Sequence, residues 1–587
     1  MNLYLLTFVI LKNIALYKLL ILILVCASAN IYAQPKDSLP SFGSPLDIPL
    51  YLSGNFAELR RNHFHTGIDI KTQGVVGKNI LAAEEGVISR ISVSPYGYGL
   101  ALYIEHPNGY TTVYGHLLSF SSKIASVVRE KQYLEKSFSV DFNPETLIHV
   151  KRGEIVALSG NTGGSGGPHL HFEIRKTDTG RPQNPLLFGF NIKDDIPPRI
   201  RGVRFHPLAD TTLINNKQEA QSFVVNGNAG KYHLKPGQDI KVYGAFGLSL
   251  HALDFLNESA NRCGIYTLAL KVNDELISAS RFDELDFSTV RHINTYKDYS
   301  AFKSHSWHYH KSFVEPGNML EIYDFKSPEL GVINETTPGK HQVTYATTDA
   351  YGNESKLEFE FTSLEKPGVL IPAPEPYDAY FPFDRENHFE YADELEITIP
   401  ANALYSDLRF QFSRQVKTAD SYSPHFLVQN DHVPLQLAFE MKFSLKNIPG
   451  AIHDKLVWER SDVAGRKSYL KGKVDDGFYV VEPRDFGKFT LVADTTAPTL
   501  TARKWSTGGG VSNSTELQFN INDDRSGIKK YNGYLNGEWV LVQYEPKNKM
   551  IFLKVGESNF QKGKNTLELH IEDACGNLTT KQFEYTY

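Results

Sequence analysis

Short stretches of strict alternation leave this chain little choice of fold. Between about Asp47 and Phe190, apolar and polar residues alternate in ILAAEEGVISRISV, LALYIEH, YTTVYGHLL, GEIVALSG and HLHFEIR, with Gly, Pro and Asn between the segments. A period of two is that of a strand, whose successive side chains point to opposite faces. LALYIEH and YTTVYGH flank a PNG turn, which predicts a β-hairpin. Helical spacing is scarce and predicts one helix, around Ile124 to Lys136. The region reads as one compact, mainly antiparallel β domain.

At roughly 100–200 residues per domain, a chain of 587 residues holds three to five domains. Beyond Pro197-Pro198 short strands continue, and one element recurs: LDFLNES from Leu253, TDAYGNES from Thr348, SDVAGRKS from Ser461 and EDACGNLT from Glu572. Each has an Asp followed by a turn. A further echo pairs CGIYTLALKVND with SGIKKYNGYLNG. Recurrent strand-turn units predict tandem immunoglobulin-like β-sandwich modules, over 198–366, 367–495 and 496–587, after a first domain over 47–190.

Residues Met1 to Ala33 carry Lys12 and Lys18, no acidic residue, the apolar run LLILILVCASA and a small-residue exit at Ala33-Gln34. That arrangement predicts a secretory signal peptide and export to the periplasm or cell envelope, with a retained membrane anchor as the rival. Val25 before Cys26 does not fit a lipoprotein cleavage site. Without Cys26 only Cys263 and Cys575 remain, which argues against a disulfide framework or a Cys-ligated zinc. A net charge of -6 shows no basic excess and gives no reason to expect nucleic-acid binding.

The chemistry gathers around GGPHLHFEIR. Alternation puts His169 and His171 on one face of a strand and Leu170 and Phe172 on the other. Upstream, NHFHTGIDIKTQG places His65 four residues before Asp69, and VYGHL ends a hairpin strand on His116. His and carboxylate are zinc ligands, and a catalytic zinc takes three from the protein. Each motif alone is weak, since a lone His is more often a surface or satisfied residue. Glu173 reads as an exposed strand residue, or else as support for the metal. Two patterns are set aside. GGSGG (Gly163 to Gly167) matches the GxSxG elbow with Ser165 as nucleophile, but Pro168 and a strand follow where a helix is required. HSWHYHK gathers His305, His308 and His310 without carboxylate or Cys partners and reads as a solvated strand.

HxGxD, then YxHL, then a Gly-rich loop leading into GPHLHFE resembles the lysostaphin-like zinc endopeptidases, the LytM group of bacterial cell-wall peptidases. The similarity runs through GNFAELR, LAAEEGVIS and NPLLF, from roughly Asp47 to Phe190. It implies one Zn2+ per chain held by His65, Asp69 and His171, with His116 and His169 as the non-ligand catalytic histidines. It further implies peptidoglycan as substrate, its stem or crossbridge peptides cut by a metal-activated water. The loop glycines would let an extended peptide approach closely. The segment SSKIASVVREKQYLEKSFSVDFNPETLIHV is longer than the family pattern and suggests an appendage at the groove rim that selects substrates, docks a partner or is merely tolerated. The alternatives are a non-catalytic regulator that activates another wall hydrolase, and an adhesion or assembly protein built on its tandem modules. Those modules also offer a surface for a protein partner.

Overall fold

The structure is a computed structural model describing residues 39–587 except 335–336 and 505–506; Met1 to Ala33 lie outside the described residues. In the first unit β1 (Leu52–Gly54), β2 (Ile68–Lys71), β3 (Asn79–Leu81), β4 (Gly86–Val93), β5 (Leu100–Glu105) and β6 (Tyr110–Phe120) are followed by the helix α1 (Ser122–Glu135). Then come β7 (Val140–Phe142), β8 (His149–Val150), β9 (Ile155–Ser159), β10 (His169–Lys176) and β11 (Pro182–Gln183). The main sheet runs β1-β2-β10-β6-β5-β4-β7. β5 and β6 form the hairpin that the PNG turn predicts, in register Glu105↔Thr111. Gly109 closes that turn at φ 85°, where a side chain would be strained.

β10 lies between β2 and β6, and its alternation decides which face carries chemistry. Leu170, Phe172 and Ile174 have no exposed surface and join the core with Ile68, Ile70, Leu102, Ile104 and Tyr114. Burying each such side chain contributes about 1.5–3 kcal/mol. A slip of one residue would send His169 and His171 into that core, so packing fixes the register of the site.

The later units are also built on β-sheets, so the chain is mainly β. The second winds a 12-stranded sheet over Arg199–Pro207 to Glu354–Ser363, with Phe205, Phe246 and Phe361 inside. The third sets two five-stranded sheets around Trp458, with Phe443 5.8 Å and Phe489 6.3 Å away. The fourth packs a four-stranded on a five-stranded sheet across Phe519 and Phe583. Cys263 and Cys575 are buried free thiols. Among the described residues no helix is long and apolar enough to cross a membrane.

α1 buries Ile124, Val128 and Gln132 at successive four-residue steps. The segment that the sequence places at the groove rim instead adds β7 and β8 to β4, three strands removed from β10. Its outer side meets the fourth unit: Arg129 pairs with Glu557 at 2.7 Å, and Tyr133 packs edge-on against Trp539 at 5.3 Å.

Candidate metal centre

Asp69 stands directly opposite His171 in the antiparallel pairing of β2 with β10, so their side chains share a face. On the other flank Gly115 of β6 faces His171. A Cβ at Gly115 would lie 3.4 Å from that of His171 and 3.3 Å from the Tyr98 ring, leaving no spare room. The next residue, His116, sits at φ 60°, a left-handed backbone that is uncommon outside glycine and clusters at functional sites. Its N–H donates to the carbonyl of Tyr98 at 2.7 Å. His65 enters from a tight loop in which its N–H donates to Glu58 O (3.0 Å) and its carbonyl accepts from Ala57 N (2.8 Å).

These elements bring all five sequence-predicted residues together. His65 Nε2 and His171 Nδ1 each lie 3.0 Å from Asp69 Oδ1 and 3.0 Å from one another. His169 Nε2 is 3.4 Å from the same carboxylate oxygen. The His116 ring centroid is 4.8 Å from that of His169 and 5.9 Å from that of His171. His65, Asp69, His116 and His171 are buried and His169 is half-buried.

Backbone and carboxylate acceptors fix the tautomers. His65 Nδ1 donates to the carbonyl of Asn55 at 2.7 Å, which leaves Nε2 as the lone pair turned to Asp69. His171 Nε2 donates to Glu173 Oε1 at 2.8 Å, freeing Nδ1 in the same way. Two imidazole lone pairs and a carboxylate oxygen thus converge at contact distance, and only a cation or shared protons reconcile them. This donor set fits zinc, and the Asn55 carbonyl and the Glu173 carboxylate behind it are the kind of outer partner that orients a metal-ligating histidine. Arg60 holds the other Asp69 oxygen, Oδ2, at 3.0 Å and Glu58 at 2.9 Å.

Glu173 has no exposed surface, so the exposed-residue expectation is wrong. Besides His171 it accepts from Thr66 Oγ1 and Tyr98 OH, both at 2.6 Å, and from Arg175 Nε at 2.6 Å. A buried carboxylate with this many donors needs no exposure to be stable. Burial alone would lower the His171 imidazolium, but with no cation between them hydrogen bonds with Asp69 and Glu173 outweigh it and raise its pKa to about 9, so a proton stands on Nδ1 in the place a cation would take. Burial likewise would raise Asp69, yet His65 and the contacts of three histidines with its carboxylate hold it well below the carboxylate range. His116 goes the other way: burial, then His171 and His169, press it down to about 3, so its ring is neutral at pH 7. Its Nδ1 donates to Thr162 O at 2.8 Å, which leaves its lone pair on Nε2, while His169 Nδ1 lies 2.8 Å from Gly167 O and 3.1 Å from Ser165 Oγ.

The sequence reading missed Asn55, Arg60, Tyr98, Thr66 and Arg175. For Arg175 a signal existed, because the period of two in HLHFEIR puts it on the His169 face. The second unit braces the site from behind. Lys297, buried, donates through Nζ to the carbonyls of Arg60 (2.8 Å) and Arg61, and Asn55 exchanges hydrogen bonds with the backbone of Gly264. Phe64 packs between Phe282 and Tyr296 at 5.6 and 5.8 Å.

The Gly-rich loop is only partly free of contacts. A Cβ on Gly163 would meet Gly99 N at 2.4 Å and Gly97 O at 2.5 Å, so this glycine serves the crossing of two loops; Gly166 and Gly167 border open space. Lys547 of the fourth unit donates to the carbonyls of Asn161 and Ser165 in this loop. Ser165 Oγ donates to Gly167 O at 2.7 Å within a turn that leads into β10, with no helix following. His305, His308 and His310 do not form a solvated strand. His305 ends the helix Tyr299–His305, while His310 is buried in Tyr309–Lys311, paired with Phe246–Leu253, its Nδ1 3.2 Å from Tyr296 OH. The three do not assemble into a metal-binding group among the described residues.

The model of peptidase family M23 matches residues 63–149 and 145–185, the segment that carries this cluster. The first unit is a peptidase family M23 domain, of the LytM and lysostaphin-like kind. A Zu5-like domain model matches residues 378–494 in the third unit. The DD-carboxypeptidase/endopeptidase Mpg of Neisseria meningitidis is 34% identical over 122 residues, 21% of this chain and 22% of that one. The peptidoglycan DD-endopeptidase ShyA of Vibrio cholerae is 31% identical over 162 residues, 26% and 31% respectively. A solved zinc-containing peptidase from Vibrio cholerae aligns at 25% identity over 26% of this chain and 41% of that one, with a TM-score of 0.20. The chain spans only about a fifth to a third of the length of these curated relatives.

Proposed function

We propose that this protein is an exported zinc metalloendopeptidase that hydrolyses peptide bonds in peptidoglycan stems or crossbridges. The observation that carries the reading is the convergence of His65 Nε2, Asp69 Oδ1 and His171 Nδ1, each with its outer partner fixing the lone pair. Those three would hold one zinc per chain, which when bound lowers the pKa of a water to about 7 and polarises a carbonyl. The neutral His116 ring and the His169 ring beside it, each with Nδ1 turned to a backbone carbonyl, support a reading in which they take and return a proton at the reacting carbonyl. Asp69 spends its second oxygen on Arg60, which fixes the carboxylate plane. The names of the curated relatives, both peptidoglycan or DD-type endopeptidases, support the substrate class. The apolar leader in the sequence supports delivery to the periplasm or cell envelope, where that substrate lies.

The alternative is a regulator that binds and activates another wall hydrolase, with Lys547 and the fourth unit resting on the loop beside the site. Incubating the full, zinc-loaded chain with purified peptidoglycan and identifying released peptides by mass spectrometry separates the two. Release of peptides cut at defined bonds, lost in His116→Ala, supports the endopeptidase. No release with zinc bound, together with stimulation of a second hydrolase, supports the regulator.

A further inference from the structure

The recurrent Asp elements of the later units assemble something unrelated to the M23 site. Asp194, Asp254 and Asp349 bring carboxylate oxygens within 4.8 Å of one another, and so, in the fourth unit, do Asp494, Asp523 and Asp573. The two groups are wired alike. Asp349 Oδ1 accepts from Tyr351 N (2.8 Å) and Asn353 N (3.0 Å), and its Oδ2 from Asn353 Nδ2 (2.7 Å), which also donates to the Asp194 carbonyl (3.2 Å). Asp573 Oδ1 accepts from Cys575 N (2.8 Å) and Asn577 N (2.9 Å), and its Oδ2 from Asn577 Nδ2 (2.7 Å), which also donates to the Asp494 carbonyl (3.1 Å). Asp194 and Asp494 each accept from the N–H two residues on. Gly352 (φ 88°) and Gly576 (φ 72°) turn both loops through the left-handed region. Sequence recurrence had grouped Asp254 with the turn residues Asp349 and Asp573; in the fold it is instead the partner that each turn Asp faces, as Asp523 is in the fourth unit.

Backbone and Asn donors satisfy most of these oxygens but leave one on each of Asp254, Asp194 and Asp523 without a partner. Asp254 is 2% exposed, and its Oδ1 has no hydrogen-bond partner. Asp194 Oδ2 and Asp523 Oδ1 are likewise buried oxygens without a partner. Three carboxylates packed together, none of them in an ion pair with a basic side chain among the described residues, are costly unless a cation or protons neutralise them. The third unit supplies the contrast: Asp462 of SDVAGRKS makes the same turn, with Ala464 N and Arg466 N at 2.9 Å, but there Arg466 Nε closes on Asp462 Oδ2 at 2.7 Å, and no acidic triad forms among the described residues. Where the turn residue is Arg the positive charge is built in; where it is Asn a positive charge has to come from outside.

We infer that Asp194, Asp254 and Asp349 form one calcium site and Asp494, Asp523 and Asp573 a second. An all-oxygen, multi-carboxylate set held by protein loops is calcium chemistry, whereas magnesium keeps most of its waters and seldom uses a dedicated protein cage. Burial and mutual repulsion, which raise Asp254 to about 8 and Asp194 to about 7, are the strain that a divalent cation relieves. Both sites lie where one unit joins the next. Asp194 is in the connection between the M23 domain and the strand Arg199–Pro207, and Asp494 directly follows Gly487–Ala493, the last strand of the third unit. Calcium stiffens these joints and so sets where the modules stand relative to the peptidase domain.

The test is calorimetric titration of the full, zinc-loaded chain with CaCl2, zinc content being measured alongside. Wild type takes up two calcium ions, Asp254→Asn and Asp523→Asn one each, and the double variant none, with zinc unchanged. Magnesium binds at least about tenfold more weakly at both sites. In parallel, calcium slows proteolysis between residues 190 and 198 several-fold in wild type and not in Asp254→Asn. Should Asp254→Asn fail to fold, Asp194→Asn, at the half-buried linker position, replaces it in both measurements. Absence of calcium uptake at several millimolar by folded wild type, or full uptake by the double variant, overturns the inference. Magnesium binding as tightly as calcium overturns the assignment of the ion.

Discussion

Replacing Glu173 with Gln tests whether the groups behind the histidines tune the metal centre. The Glu173 carboxylate is fully buried and accepts a hydrogen bond from His171 Nε2 at 2.8 Å, which leaves Nδ1 as the atom that would bind the proposed zinc. Hydrogen bonds to charged groups contribute about 1.5–3 kcal/mol and neutral ones about 0.5–1.5 kcal/mol. Loss of the charge alone should therefore weaken zinc binding by about 1–2 kcal/mol, roughly 5- to 30-fold, close to the 10- to 100-fold typical of such partners. A second effect is separable. Arg175, whose side chain is 14% exposed, loses its only carboxylate partner among the described residues, and breaking a buried pair in this way costs about 3–5 kcal/mol of stability. Zinc affinity is read by competition with a chromogenic chelator at pH 7.5, stability by urea unfolding, on protein shown to be folded by circular dichroism. A folded Glu173→Gln chain whose zinc affinity stays within twofold of wild type would refute the reasoning.

His116→Ala should keep its zinc and lose about 100- to 10,000-fold in peptidoglycan turnover, measured by metal content and digest rate together. Lys297→Met removes the buried ammonium that holds the Arg60 and Arg61 carbonyls, and should lower zinc affinity without altering any metal-facing atom; an unchanged affinity would show that the second unit does not brace the site. Phe172→Ala, in the core strand of the M23 domain, should cost about 3–5 kcal/mol in urea unfolding. In calcium-free buffer the raised carboxyls of Asp254 and Asp194, faced by Asp349 and by the Cys263 thiol that burial keeps neutral, stabilise the second unit most below the unfolded carboxyl pKa of about 3.9. That contribution is lost progressively as pH rises from about 4 through about 7 to 8, so the melting temperature should fall over that range and level off above it, and calcium should abolish the fall.

What the sequence made legible was what depends on neighbours along a strand. The alternation in HLHFEIR and the PNG hairpin place β5, β6 and β10, and the pairing of His169 with His171 on one face follows from a period of two. Helical spacing around Ile124 likewise locates α1. The rest depends on contacts distant in the chain. Glu173 looks exposed until Tyr98 and Thr66, 75 and 107 residues away, close over it. His310 reads as solvated until Phe246–Leu253 pairs with its strand and covers it. Lys297 reaches the Arg60 carbonyl across 237 residues, and no local pattern announces it. The Asp elements were visible as a repeat, but their convergence into triads required the fold, since Asp254 and Asp349 directly follow strands, Phe246–Leu253 and Gly339–Thr348, that are not neighbours in the sheet.

The central claim is that His65, Asp69 and His171 hold a zinc that His116 and His169 help to use. Its most direct test is zinc content and released peptides measured together on wild type, His171→Ala and His169→Ala. The account predicts one zinc and shortened peptides for wild type, neither for His171→Ala, and bound zinc with turnover slowed about 100- to 10,000-fold for His169→Ala. Wild type that holds no zinc, or His171→Ala that still holds zinc and cuts, would contradict it.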